Sequence, residues 1–242
     1  MAPLKLYVRY ILSAVATAAC TACAPIPAGT PMHSSASAAT PAVAAGDSWT
    51  YRVRDGYTGL PRADQRLRVT DAGADRIRVA ATRGDGGADE TQVFDREWNW
   101  LTRPATNLQS FDYSPAYRAL AFPLTVGKTW RARAVATDPV DGRRFPVWIE
   151  ATVQGWEKVK VPAGEFATLK IKRMVFIEYW EYTIRGRSEI VEYEWYAPSV
   201  KQAVRREGSS QHLSYLYSDD DGGPIWMRDD WLIAELVSYS VR

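Results

Sequence analysis

Histidine, the commonest acid–base group near neutral pH, occurs only twice in the 242 residues, at His33 and His212. Only His212 falls where the chain has a folded texture. Ser209-Ser210 beside it suggests a hydrolase, yet neither a Gly-x-Ser-x-Gly elbow nor an orienting acid at a recognised spacing accompanies them. His212 is therefore read as a residue on a strand face. One histidine cannot supply three ligands, so an imidazole–thiolate metal centre is excluded. The carboxylates remain. Glu178, Glu181, Glu192 and Glu194 lie in two runs able to form a hairpin, and Glu192 and Glu194 share a face through the two-residue strand period. Such a set can hold a cation or act as acid and base in a carboxylate-dependent hydrolase. Interleaved with Tyr179, Trp180, Tyr193 and Trp195, and near Lys170, Lys172, Arg185 and Arg187, it reads better as the wet face of a sheet with cross-strand ion pairs. Asp219-Asp220-Asp221-Gly222-Gly223 lacks the alternate spacing of a calcium loop and reads as a turn. No catalytic residue, metal or cofactor is expected.

The aromatic residues are the more telling excess. All 10 tryptophans follow residue 44. Trp98, Trp100 and Trp226, with Trp231, lie in or near loops, where a sugar or lipid could stack. Trp49, Trp130, Trp148 and Trp195 fall at alternating strand positions and suit a core. A candidate apolar ligand pocket would draw on Phe122, Leu124, Trp148, Phe166 and Trp195, and needs a continuous cavity.

The two cysteines, Cys20 and Cys23, both lie near the N-terminus. Residues 1–10 carry two positive charges and no negative one, and Tyr10 to Ala19 is an uncharged apolar run ending in small residues, the pattern of an export signal over 1–19. It is too short to span a bilayer, which takes about 20 apolar residues. Thr17-Ala18-Ala19-Cys20 resembles the lipobox of bacterial lipoproteins, which implies cleavage before Cys20, with Cys23 as the alternative, and acylation of the new terminus. The leucine usual three positions before the cysteine is missing. Neither cysteine is followed by an aspartate at the second position, so the same resemblance implies the outer membrane. Removal of Lys5 and Arg9 with the signal leaves 28 positive and 28 negative side chains, a neutral protein without the clustered basic surface that nucleic acid requires.

Residues 24–44 contain no charge and no aromatic ring, and sixteen of those twenty-one are Ala, Pro, Ser or Thr. Residues 20–44 are therefore expected to be a disordered tether. From 45 to 242 the chain reads as short alternating strands divided by Gly, Asp, Asn and Pro, an all-β domain with at most one helical turn near Ser114 to Leu120. Arg185-Gly186-Arg187-Ser188 is expected to turn a long hairpin between 175–184 and 189–196. Ala45-Gly46-Asp47-Ser48-Trp49 and Val126-Gly127-Lys128-Thr129-Trp130 match at equal offsets, and Val69 to Val79 aligns loosely with Val153 to Val161. The domain is thus read as two related meander halves, 45–120 and 121–242, because a lone one-sided sheet needs a partner.

Gly46-Asp-Ser-Trp-Thr-Tyr51, Val126-Gly-Lys-Thr-Trp130, Val161-Pro-Ala-Gly-Glu-Phe166 and Trp195-Tyr-Ala-Pro198 together resemble a family of exported bacterial β-domains of unknown function. The resemblance spans 45–242 and implies an antiparallel β-roll or half-barrel, distantly similar to lipoprotein carriers of the LolA and LolB type. It brings no catalytic residues. The sequence reading is a non-enzymatic lipoprotein, a binding or assembly module held to the membrane by its N-terminal lipid. Its partner is a hydrophobic small molecule or an envelope protein, and a lipid carrier is the alternative.

Overall fold

The computed structural model describes residues 29–86, 89–104, 110–181, 184–218 and 223–242. The expected signal, Cys20, Cys23 and Asp219 to Gly222 lie outside them.

Thirteen strands form one antiparallel sheet. They are β1 (Thr30–Met32), β2 (Ser48–Asp55), β3 (Gln65–Ala72), β4 (Ile77–Arg83), β5 (Glu90–Phe94), β6 (Trp100–Pro104), β7 (Ser110–Tyr117), β8 (Thr129–Thr137), β9 (Arg144–Val161), β10 (Gly164–Glu181), β11 (Ile184–Ala197), β12 (Gln202–Ser218) and β13 (Pro224–Ser240). The period-two alternation that makes them strands also sorts their faces. Leu67, Val69, Ile77, Val79 and Ala81 are buried, while Arg66, Arg68, Arg76 and Arg78 are exposed.

Strands β2 to β7 and β8 to β13 are two six-strand meanders. β7 pairs with β8, and β13 returns to β2, so strands β2–β13 close into a barrel of 12. The sheet is therefore neither a roll nor a half-barrel: closure removes both free edges, a liability that an open sheet would have to cover. The two meanders begin alike. Gly46 N–H donates to Val69 O at 2.9 Å and Val69 N–H to Asp47 O at 2.8 Å; Gly127 N–H donates to Val153 O and Val153 N–H to Lys128 O, each at 2.9 Å. Both glycines have positive φ, 94° and 82°, which the turn demands. The Trp49 indole N–H then donates to Val200 O and that of Trp130 to Arg118 O.

The halves differ in length. Strands β9–β13 run 14–18 residues, against 5–9 for β2–β8. At the end marked by the β9–β10 turn the barrel is filled by the connection between β7 and β8, where Ala119, Leu120, Ala121 and Leu124 are buried, and by a 3₁₀ turn at Pro198–Val200. That turn is the one helical element among the described residues, and the stretch Ser114 to Leu120, where a helical turn was expected, is strand as far as Tyr117 and irregular beyond it. The expected hairpin turn is also displaced. Arg185 and Arg187 pair with Trp180 and Glu178 inside the ladder, so the reversal comes earlier. The ordered chain begins well before residue 45. β1 pairs with β9 at Glu157, Ala38 bridges Leu124, and the Trp156 indole N–H donates to Ala36 O at 3.0 Å.

Candidate functional site

Cross-strand register builds a row of charges on the inner wall. Arg173 on β10 lies opposite Glu192 on β11, and Glu194 lies opposite Arg206 on β12. Arg173, its side chain 3% exposed, donates from Nε to Glu192 Oε2 (2.7 Å), from Nη2 to Glu194 Oε2 (2.8 Å) and from Nη1 to Ala119 O (3.1 Å). The Tyr117 hydroxyl also donates to Glu192 Oε2, at 3.0 Å. Burial pushes the Glu194 carboxyl up, but Arg173, then Arg206 and Arg103, outweigh it and hold it below the ordinary carboxylate range. Burial works against the Arg173 cation, and Glu192 and Glu194 more than offset it, so its affinity for the proton rises. A carboxylate pair tied to one guanidinium has no free base to offer.

Two more guanidinium groups stand beside this triad. Arg103 on β6 lies over the Trp100 ring at 4.3 Å from its centroid, a cation–π contact. No acceptor among the described residues takes a hydrogen bond from it, and burial, then Arg206, push its pKa down to about 10. It is a cation at neutral pH. Arg206 donates from Nη2 to Gln202 Oε1 at 2.6 Å and stacks 5.3 Å over Tyr51, but its buried Nε has no partner, and neither has the buried Tyr113 hydroxyl. Burial first, with Glu194 adding to it and Arg206 opposing, pushes the Tyr51 phenol up to about 12; it donates to Ala203 O at 2.6 Å.

Arg103 and Arg206, with Arg173 and Glu192, border a cleft of about 130 Å³ walled also by Val53, Trp100, Gly208 and Leu232. It lies where the regular β2–β3 ladder ends at Tyr51 and Gln65; beyond that point residues 60–62 continue the wall, with Arg54 bridging Pro61 and the Arg62 N–H donating to Val53 O at 2.8 Å.

The structure does not gather the aromatic pocket expected from sequence. Phe122 packs edge-on against Tyr196, and Phe166 edge-on against Tyr239. Trp195 donates to Glu157 Oε2 at 2.7 Å, between Lys170 and Arg205. Trp148 points outward from β9, next to Arg131, Arg133 and Glu150. The loop tryptophans also part company. Trp98 is buried edge-on to Trp49 and Phe94, with a φ of 64° and its indole N–H on Lys201 O; Trp100 is buried in a stack with Tyr117; Trp226 is exposed on β13. Glu192 and Glu194, expected on a wet face, are interior, because their inward phase is that of buried Ile190 and Tyr196. Glu178 stays on β10 across from Arg187, and the Glu181 side chain lies outside the described ones.

Sequence reasoning missed Arg103, Arg173, Arg206 and Gly208, and also an acid for His212: its Nδ1 lies 2.8 Å from Asp229 Oδ1 across the β12–β13 ladder. Ser188 faces His212 in register, but no serine hydroxyl among the described residues bonds the imidazole. No group of three His, Cys, Asp or Glu able to hold a metal occurs among the described residues. The outer wall carries Arg66, Arg68, Arg78, Arg131 and Glu150, all exposed, charges that interrupt, among the described residues, the apolar belt of a bilayer-spanning barrel. Among the described residues no helix is long and apolar enough to cross a membrane.

No family model and no curated relative matches the chain. Three solved structures are similar to it. One, from Parabacteroides distasonis and provisionally described as a lipoprotein, aligns with a TM-score of 0.49 at 15% identity over 84% of this chain and 99% of its own. A provisionally exported protein with a YmcC-like fold from Bacteroides fragilis gives 0.47 at 15% over 84% and 99%. The hypothetical lipoprotein YmcC of Escherichia coli gives 0.43 at 11% over 81% and 86%. Likeness at this level bears on neither ligand nor mechanism.

Proposed function

We propose that the protein is a non-enzymatic envelope lipoprotein, held by an acyl chain on Cys20 at the periplasmic face of the outer membrane, whose barrel serves as a rigid binding module. The observation that carries the binding role is the interior cleft, where the Arg206 Nε is buried without a partner and Arg103 donates to no acceptor among the described residues. Buried polar groups are normally paired, and a ligand would complete these. An enzymatic role draws no support from the cleft, because Arg173 occupies both nearby carboxylates. A carrier enclosing a whole lipid fits less well than a binding module. About 130 Å³ is below the usual ligand-pocket range of roughly 300–1,000 Å³, and Phe122, Phe166 and Trp195 are engaged elsewhere.

Intact-mass spectrometry of the protein extracted from bacterial membranes tests the anchor, and native spectrometry of the same sample tests the module. The expected chain begins at Cys20, carries a diacylglyceryl group and retains a small co-purifying ligand. Cys20→Ala should abolish the lipid mass and Cys23→Ala should not. A chain cleaved elsewhere and bearing a free thiol would overturn the anchor.

A further inference from the structure

Inside the barrel three guanidinium groups, Arg103, Arg173 and Arg206, meet two carboxylates, Glu192 and Glu194, which leaves one positive charge in excess. The excess is localised. Arg173 donates from all three of its nitrogens, whereas Arg103 donates to no described residue and Arg206 leaves its buried Nε unused. A guanidinium is a planar fork of five N–H donors matched to oxyanions. The Arg103 guanidinium lies 4.3 Å from the centroid of the Trp100 ring, a contact that uses none of those donors. Holding such a group half-buried and unpaired costs stability, a cost that a bound anion would offset.

The cleft also has an apolar side, made by Val53, Trp100 and Leu232. Gly208 on β12 keeps it open. This glycine faces inward opposite Glu192, and a Cβ built there meets no atom within 4 Å. A Cβ there enters the cleft without striking the wall, and a longer side chain would take up the space of a ligand.

We propose that this cleft binds an oxyanion, a carboxylate or phosphate carried on a small apolar body, with Arg103 and Arg206 as its donors and Trp100, Val53 and Leu232 as the wall for the apolar part. The proposal rests on the reading of the cleft as the ligand site and names its ligand chemistry. One excess charge suits a singly charged headgroup. A volume of about 130 Å³ admits that head and leaves any longer tail outside the cleft.

The test is calorimetric titration of the purified full chain with two probes, hexanoate and inorganic phosphate, beside the Arg103→Met, Arg103→Lys and Gly208→Leu variants. The wild type should bind one equivalent, and Arg103→Met should weaken it by about tenfold to a hundredfold, the range for a hydrogen bond to a charged group. Arg103→Lys should fall between, and Gly208→Leu should abolish binding with the charges intact. Unliganded Arg103→Met should melt no lower than wild type, because it removes a half-buried cation with no hydrogen-bond acceptor among the described residues; a purely structural arginine would lower it. Tighter hexanoate identifies an amphiphile headgroup, tighter phosphate a free anion, and both bear the proposal out. Binding of neither probe, or binding that survives both Arg103→Met and Gly208→Leu, overturns it. The anchor is read separately from the intact mass. Unlipidated protein that binds hexanoate overturns the envelope reading alone, and lipidated protein that binds neither probe overturns the oxyanion site alone.

Discussion

Replacing Arg173 by Met keeps most of the side-chain volume and removes the hub of the interior ion cluster. Three acceptors lose a donor at once, Glu192 Oε2, Glu194 Oε2 and Ala119 O, around a side chain that is 3% exposed, and among the described residues only Glu192 Oε2 keeps a second one, the Tyr117 hydroxyl. Two charge-assisted hydrogen bonds at about 1.5–3 kcal/mol each give about 3–6 kcal/mol, and breaking a buried ion pair by deleting one partner costs about 3–5 kcal/mol. The two routes agree on a loss near 4 kcal/mol, or roughly 8–16 °C in Tm for a domain of this size. Urea unfolding followed by tryptophan fluorescence at pH 7.5 should show it as a lower midpoint with an unchanged slope. The pH dependence gives the sharper check. In the wild type the Glu194 carboxyl is held below its ordinary pKa of 4.5, so its contribution is present above that value and lost as pH falls through the folded-state pKa. In the Met variant the unpaired carboxylates are a penalty that protonation relieves, so the gap between variant and wild type should narrow steadily from pH 7 to pH 4. Adding Glu192→Gln and Glu194→Gln should recover much of the loss at neutral pH. A loss under about 1 kcal/mol, or a gap that does not change with pH, would falsify the account of the cluster.

The two meander starts should respond alike to mutation. Gly46→Ala and Gly127→Ala each force a Cβ into the left-handed region, at about 1–2 kcal/mol, with no steric term at Gly127, where nothing lies within 4 Å; denaturant midpoints that differ widely between them would contradict the shared geometry. In the β2–β3 connection, Asp55 accepts from Arg62 first, then from the Thr58 N–H, and these hold its carboxyl at about 2. Carbon-detected NMR should find that midpoint in the wild type and a value nearer the ordinary 3.8 in Arg62→Ala.

The strand alternation of β3 and β4 is plain in the sequence, and so are the matched Gly-x-x-Trp starts of the two meanders, because both are local. The interior charges had a signal too, and it was overlooked. Arg173 is in phase with Ile171 and Val175, Glu192 and Glu194 with Ile190, and Arg206 with Val204, all of them buried. A charge in apolar phase on neighbouring strands marks an interior ion cluster, whereas its proximity to Lys170 and Lys172 suggested a wet face. Arg103 left no such trace, because the register of β6 slips between Trp100 and Thr102 and resets the phase. Barrel closure was equally out of reach: it depends on β13 meeting β2 and β7 meeting β8, and the first of these pairings joins the two ends of the chain. The composition of residues 30–44 hid their packing, because Ala38 and Val43 bury small side chains in a segment that otherwise has the texture of a tether.

Strand β1 occupies the stretch of β9 beyond Thr152, where the ladder with β8 has ended, beside the turn that leads into β10. The cleft lies toward the opposite end, where β6 gives way to β7 at Pro104 and Ser110. The molecule thus has a foot and a mouth. The described chain starts at the foot, and Cys20 stands ten positions before Thr30 in the sequence, a reach of at most about 35 Å. A bilayer holding Cys20 would face the filled floor of the barrel, and the mouth would look out into the aqueous space beyond, toward ligands presented from the far side.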